Sequence, residues 1–171
     1  MELSKKIRNI PNFPKKGILF RDITPLLQDS GSFRKAIRLL ANPYRDKKID
    51  VVVSAEARGF ILGAGVAYEL GAGFIPVRKP GKLPYKVRKI SYELEYGEDT
   101  LEIHQDGVKK GDRVLIFDDL LATGGTAKAI CELVEELEGK IVGICFLIEL
   151  VSLKGRDRLK GYETFSLIKY K

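Results

Sequence analysis

The residues with most chemistry to offer are Asp118-Asp119 and, just after them, Ala122-Thr123-Gly124-Gly125-Thr126. Glycine lets the main chain approach an anion closely, and the threonine hydroxyls add donors. Where such a loop opens a helix, unpaired N–H groups and the positive end of the helix dipole face the ligand, which is a seat for phosphate. Two carboxylates beside that seat would repel phosphate, so they must serve something else. Ribose hydroxyls can donate to carboxylate oxygens, and a phosphate-bound Mg²⁺ would be drawn to them as well. A sugar 5-phosphate with its diol toward Asp118 and Asp119 satisfies both halves. An ordinary strand-to-helix turn accounts for the glycines and threonines but not for the acid pair.

The elements that must position these groups are legible around them. Val114-Leu115-Ile116-Phe117 reads as a strand buried on both faces, followed by the acid pair and the loop. Ala127, Ile130, Leu133, Val134 and Leu137 recur at helical spacing, which predicts a helix over 126–138 stopped by Gly139. A second such unit lies upstream: Ile49–Ser54 as a strand placed centrally in the sheet, a turn at 55–60, a helix over 61–70 and a strand at Phe74–Val77. Arg58 stands in that turn, so it faces the same carboxyl edge of the sheet and suits a second anion such as pyrophosphate. The strand–helix–strand order demands parallel pairing with right-handed crossovers. Strands at Lys140–Leu150 and Thr164–Tyr170, the last at an edge, complete an open parallel sheet of about five or six strands flanked by helices. Near the start, Ile18–Pro25 reads as a short strand or ordered loop, and Ser32 as the cap of a helix reaching Leu40. The expectation is one α/β domain spanning 1–171, with a small N-terminal cap formed by residues 1–30.

Arg78 to Lys89 is basic and broken by Pro and Gly, and Ile90–Tyr96 then alternates like an exposed strand. Residues 79–100 are read as a mobile, hairpin-like lid, because their cations leave a strand end beside an anion site. The chain of 171 residues suits a single core. Its 44% hydrophobic and 31% charged residues are those of a soluble globular protein, and a net charge of +7 attracts phosphates. Cys131 and Cys145 stand alone, without a CxxC, which points to buried thiols in a reducing compartment. The first residues lack the apolar core of a signal peptide, and the apolar run 141–151, interrupted by Gly143 and Glu149, is too short to span a bilayer. A cytoplasmic protein with no membrane partner is expected.

Val114 to Thr126, with its Asp-Asp-Leu-Leu-Ala-Thr-Gly-Gly-Thr run, resembles the 5-phosphoribosyl-1-pyrophosphate (PRPP) signature of type I phosphoribosyltransferases, in the form typical of those acting on adenine. The resemblance continues through Phe20–Leu27 (a hood segment), Arg78–Pro84 (a basic lid entrance) and Tyr92–Gly97 (a lid strand). It implies transfer of the phosphoribosyl group of PRPP to adenine, giving AMP and pyrophosphate in purine salvage. Ala122, Thr123, Gly124, Gly125 and Thr126 would hold the 5-phosphate of PRPP or AMP. Arg58, Arg78, Lys79 and Lys82 would face pyrophosphate. Main-chain atoms of Leu19 and Arg21 would read the adenine edge, with Phe20 between them turned into the hood. Asp118 and Asp119 would hold the sugar, and Glu95 would act as the acid–base group, a choice over Glu93 that rests on the resemblance alone. Mg²⁺ would arrive with PRPP, with Asp118 and Asp119 as candidate ligands. The segment Ala55–Gly59 would be the pyrophosphate loop, with a non-proline cis peptide near Glu56–Ala57, where relatives frequently have Asp-Ser or Glu-Ser instead. A homodimer is implied, paired through the region of Arg58 and its helix. Two alternatives stay open: a hypoxanthine or guanine phosphoribosyltransferase, and a PRPP-sensing regulator that binds nucleic acid. The second needs a DNA-binding appendage, and the few residues before the first core helix leave no room for one, so a nucleic-acid partner is not expected.

Overall fold

Apolar continuity in the strands and a helical stripe on each crossover build a three-layer molecule. The computed structural model describes residues 2–93 and 97–171. At the N-terminus β1 (Arg8–Pro11) and β2 (Leu19–Asp22) form an antiparallel hairpin, followed by helices α1 (Thr24–Gln28) and α2 (Ser30–Ala41). The Asp22 carboxylate accepts the Thr24 N–H at 2.9 Å where α1 begins. Asp29, not Ser32, caps α2, accepting the Ser32 N–H at 2.8 Å, and Ser32 itself is fully buried. The cap falls one turn early because Asp29 is the residue in extended conformation.

Then follow β3 (Val51–Ala55), α3 (Arg58–Leu70), β4 (Gly73–Val77), β5 (Val87–Glu93), β6 (Glu98–His104), β7 (Arg113–Leu121), α4 (Gly125–Glu136), β8 (Lys140–Leu150) and β9 (Thr164–Tyr170). Five strands make one parallel sheet in the order β4-β3-β7-β8-β9, while β5 and β6 pair with each other as an antiparallel hairpin. The strand expected to be central, β3, is interior but second from the edge; β7 holds the middle. Side chains alternate between two cores. Val52, Leu115, Phe117, Cys145 and Leu147 pack on α1, α2 and α3, and Val53, Ile116, Ile144 and Phe146 pack on α4 and the β5–β6 hairpin. Leu101, Glu102 and Ile103 are buried together rather than alternating, because β6 also docks on the main sheet by way of Arg78.

This strand order reverses between β3 and β7, and ligands of open α/β sheets sit beyond the carboxyl ends of strands at such a switch point. Pairing of β3 with β7 ends at Ser54–Phe117, whereas β7 runs on to Leu121 alongside β8. The acid pair therefore lies inside strand β7, not after it as its sequence suggested. The opening left beside it is filled by the start of α3, which begins at Arg58 itself. A side chain at Gly59 would put its Cβ 2.6 Å from Ser54 Oγ and 2.9 Å from Asp118 Oδ1, so only glycine lets the helix press onto the strand ends.

Candidate active site

The turn from β7 into α4 brings main-chain N–H groups together at one point. Gly124 adopts φ +84° and α4 starts at Gly125, so the first N–H groups of a twelve-residue helix open toward a small pocket of about 60 Å³ bounded by 120–127, Asp118 and Phe146. This loop is braced from behind by the segment after β8. A Cβ at Gly124 would lie 2.4 Å from the Gly155 carbonyl oxygen, and one at Gly155 would lie 2.3 Å from that of Ala122. Two stretches of main chain thus pack against each other with no room for a side chain. Arg156 locks the bracing segment by donating to both Glu149 carboxylate oxygens at 2.7 and 2.8 Å and to the Thr164 carbonyl at 2.8 Å.

Arg58, at the first turn of α3, spans the site. Its Nη2 meets Asp119 Oδ2 at 2.5 Å, its Nη1 donates to the Arg21 carbonyl at 3.2 Å, and its guanidinium lies 4.8 Å from the centre of the Phe20 ring. Asp118 Oδ1 accepts the Asp119 N–H at 2.9 Å. Burial pushes both carboxyls above the usual range; at Asp118 the neighbouring Asp119 charge adds to this, and at Asp119 the Arg58 guanidinium opposes it. Arg58 therefore ties the acid pair to the edge of β2, a role its position in the sequence did not disclose.

Two clefts meet at the wall formed by Arg58, Leu120 and Ala122. The larger, about 600 Å³, lies between Gly17–Arg21 on one side and Leu150, Ser152, Leu153, Tyr170 and Lys171 on the other. The smaller, about 320 Å³, is lined by Glu56, Lys79, Tyr92, Asp99, Asp118, Asp119 and Thr126. The segment Gly17–Arg21 is held from outside: the Arg21 guanidinium stacks 3.8 Å from the Tyr170 ring centre and donates to Asn9. Tyr170, almost at the C-terminus, had no sequence signal linking it to Arg21.

The basic entrance is an ion-pair lattice. Glu56 accepts the Lys79 N–H at 2.6 Å and lies 3.3 Å from Arg78 Nε, and Lys79 Nζ pairs with Asp99. Burial raises the Glu56 carboxyl, but the Lys79 N–H, Arg78 and Lys82 outweigh it and hold it below its ordinary value. Lys82 is exposed. Tyr92 Oη sits 3.1 Å from both Asp99 Oδ2 and Thr126 Oγ1, so the β5–β6 hairpin touches the turn that opens α4. Tyr92 and Asp99 were not singled out from the sequence, where Tyr92 is one polar residue in an alternating strand and Asp99 one acid among several in the segment 79–100. Glu95 lies outside the described residues. The Glu56–Ala57 peptide is cis, as the resemblance implied. Among the described residues no cluster of three or more His, Cys, Asp or Glu could cage a metal ion.

The family described as phosphoribosyl transferase domain matches residues 23–171. An adenine phosphoribosyltransferase of Clostridium kluyveri is 57% identical over 170 residues, covering 99% of each chain. The crystal structure of adenine phosphoribosyltransferase from Thermoanaerobacter pseudethanolicus superposes with a TM-score of 0.96 at 55% identity, covering 98% of each chain. That of the Saccharomyces cerevisiae enzyme, complexed with an imino-altritol bisphosphate and adenine, gives 0.90 at 44% identity, covering 96% of each.

Proposed function

The chain belongs to the phosphoribosyl transferase family, and we propose that its clefts carry out one purine-salvage reaction, adenine + PRPP → AMP + pyrophosphate. Its full-length relatives are adenine phosphoribosyltransferases, and its fold is that of the type I enzymes. The observation that carries the assignment of groups is the meeting of a roomy cleft and a charged one at Arg58, Leu120 and Ala122, directly over the acid pair and the phosphate loop.

In this reading the 5-phosphate sits on Ala122–Thr126 and the ribose hydroxyls face Asp118 and Asp119. The bond from ribose C1 to pyrophosphate breaks with its electron pair leaving on the pyrophosphate, N9 of adenine bonds to C1, and the N9 proton passes to a base. The family resemblance points to Glu95 for that base. Charge builds up as positive on the sugar and negative on the leaving group; the acid pair meets the first, and Arg78, Lys79 and Lys82 meet the second. The latter cations would exchange Glu56 and Asp99 for pyrophosphate oxygens. Mg²⁺ fits this donor set as an ion carried mainly by substrate oxygens, with Asp118 the better-placed protein carboxylate because Asp119 already faces Arg58. When bound, it supplies positive charge to the departing pyrophosphate. The hairpin 79–100 acts as a lid that keeps water from the activated sugar.

Base choice follows from β2. In an antiparallel pair, alternate residues turn both N–H and C=O away from the partner strand. The Arg21 carbonyl accepts from Arg58, which supports an outward edge made of Leu19 and Arg21. A Leu19 carbonyl facing the C6 amino group and an Arg21 N–H facing N1 suit adenine and leave hypoxanthine with both partners inverted. Homodimerisation is supported by Ile61 and Tyr68, 44% and 88% exposed on one face of α3. Cytoplasmic residence is supported by two buried free thiols. The test is steady-state turnover with adenine, hypoxanthine and guanine in the presence of PRPP and Mg²⁺. Adenine should be preferred by roughly a hundredfold or more, since inverted partners leave buried groups unmatched. A kcat/KM for hypoxanthine close to that for adenine would refute the reading of β2.

A further inference from the structure

Asp99 accepts the Thr100 N–H at 2.9 Å and pairs with Lys79, so it is a carboxylate that can only accept hydrogen bonds. The single phenolic proton of Tyr92 therefore goes to Asp99, 3.1 Å away. The Tyr92 oxygen must then accept the proton of the Thr126 hydroxyl, also at 3.1 Å. In the free protein the chain runs from Thr126 through Tyr92 to Asp99. It commits to the hairpin a donor that stands at the mouth of the phosphate seat. The Tyr92 ring backs this contact, its Cδ2 lying 3.5 Å from where a Cβ on Gly125 would be.

We propose that Tyr92 is a positioning residue whose hydroxyl reverses direction when a sugar 5-phosphate occupies the loop. The inference rests on reading Ala122–Thr126 as the phosphate seat. A phosphate oxygen is a stronger acceptor than a phenol oxygen, so it takes the Thr126 proton. Thr126 has one donor and two acceptor positions and can receive the Tyr92 proton at the same time. Asp99 loses Tyr92 but keeps Lys79 and the Thr100 N–H. The chain then runs from Tyr92 through Thr126 to phosphate, and the bond from Tyr92 to Asp99 is given up for it. Occupancy of the phosphate seat thereby decides whether the Tyr92 proton ties into the hairpin or into the loop.

The experiment is calorimetric binding of ribose 5-phosphate to the full chain, since this probe carries the 5-phosphate without pyrophosphate. Because the reversal gives up the Tyr92–Asp99 bond on binding, Tyr92→Phe, which has no such bond to lose, should tighten binding roughly 3- to 10-fold. In a Thr126→Val background the same substitution should change binding less than about twofold, whereas Thr126→Ser should preserve the Tyr92 effect. Wild-type or weaker affinity in Tyr92→Phe, or an equal change in both backgrounds, overturns the proposal. Turnover is measured separately. A wild-type protein that fails to bind ribose 5-phosphate sinks both the reading of the loop and this inference. One that binds it in a Tyr92-dependent way but does not convert adenine sinks the adenine reaction alone.

Discussion

Replacing Gly155 with alanine tests whether the proposed phosphate seat depends on the segment behind it. The added Cβ would lie 2.3 Å from the Ala122 carbonyl oxygen and 2.8 Å from Leu121 Cδ1. A carbon–oxygen contact needs roughly 3.0 Å or more, so the two backbones must part by roughly 0.7 Å. Arg156 anchors the bracing side through Glu149, Thr164 and Ser166, so the displacement falls on Ala122–Gly124. Misplacing a binding group by about 1 Å costs on the order of a hundredfold, so a loss on the order of 30-fold in kcat/KM for PRPP is expected, about 2 kcal/mol of transition-state binding. The assay varies PRPP at saturating adenine and follows thermal unfolding in parallel. Gly71→Ala serves as the control, because Gly71 takes φ +66° at the far end of α3 with open space around it. That substitution should lower stability by about 1–2 kcal/mol and leave kcat/KM alone. A Gly155→Ala protein within about threefold of wild type, or an equal catalytic loss in Gly71→Ala, would refute the reasoning.

Arg58→Lys should lower kcat/KM for adenine roughly a hundredfold, because a single ammonium cannot reach Asp119 and the Arg21 carbonyl together as the guanidinium fork does; unchanged kinetics with adenine varied would count against the bridging role. Asp22 provides a pH signature: the Thr24 hydroxyl and N–H, working against burial and helped by Arg8, lower its carboxyl from 3.8 to about 2. A carboxyl depressed on folding contributes stability above its unfolded value, and loses it as pH falls through its folded one. Chemical denaturation should show wild type losing about 1–2 kcal/mol between roughly pH 4 and pH 2, after discounting for the exposed Arg8 partner, and Asp22→Asn should flatten that limb. An identical acid limb in the variant would exclude Asp22 as its source. Sedimentation at micromolar concentration should give a dimer, and Tyr68→Glu on the exposed face of α3 should shift it toward monomer; a wild-type monomer would contradict the assembly.

Much of this protein is written in short range. Val51–Ser54, Val114–Phe117 and Ile144–Ile148 read as strands because burial on both faces of a parallel sheet needs unbroken apolar runs. The proposed phosphate seat is equally local, since one strand-to-helix turn contains all of Ala122–Thr126. Even the lone thiols, Cys131 in a helical pattern and Cys145 in a strand pattern, were read as buried, and both are. What tertiary structure decided is which distant groups meet. Strand β7 extends through Asp118 and Asp119 because β8 goes on pairing with it as far as Leu121, and a strand ends where its ladder partner ends. The place of Ser32 as a buried residue rather than a cap followed from the turn at Asp29. Arg58 reached Asp119 and Arg21, Gly155 met Ala122, Tyr92 met Thr126 and Tyr170 met Arg21 across separations that no periodicity encodes. A residue's type and neighbours state what it can donate, accept or bury. Only the closing of the sheet and its two hairpins brings its partner within about 3 Å, the distance at which that capacity becomes a bond.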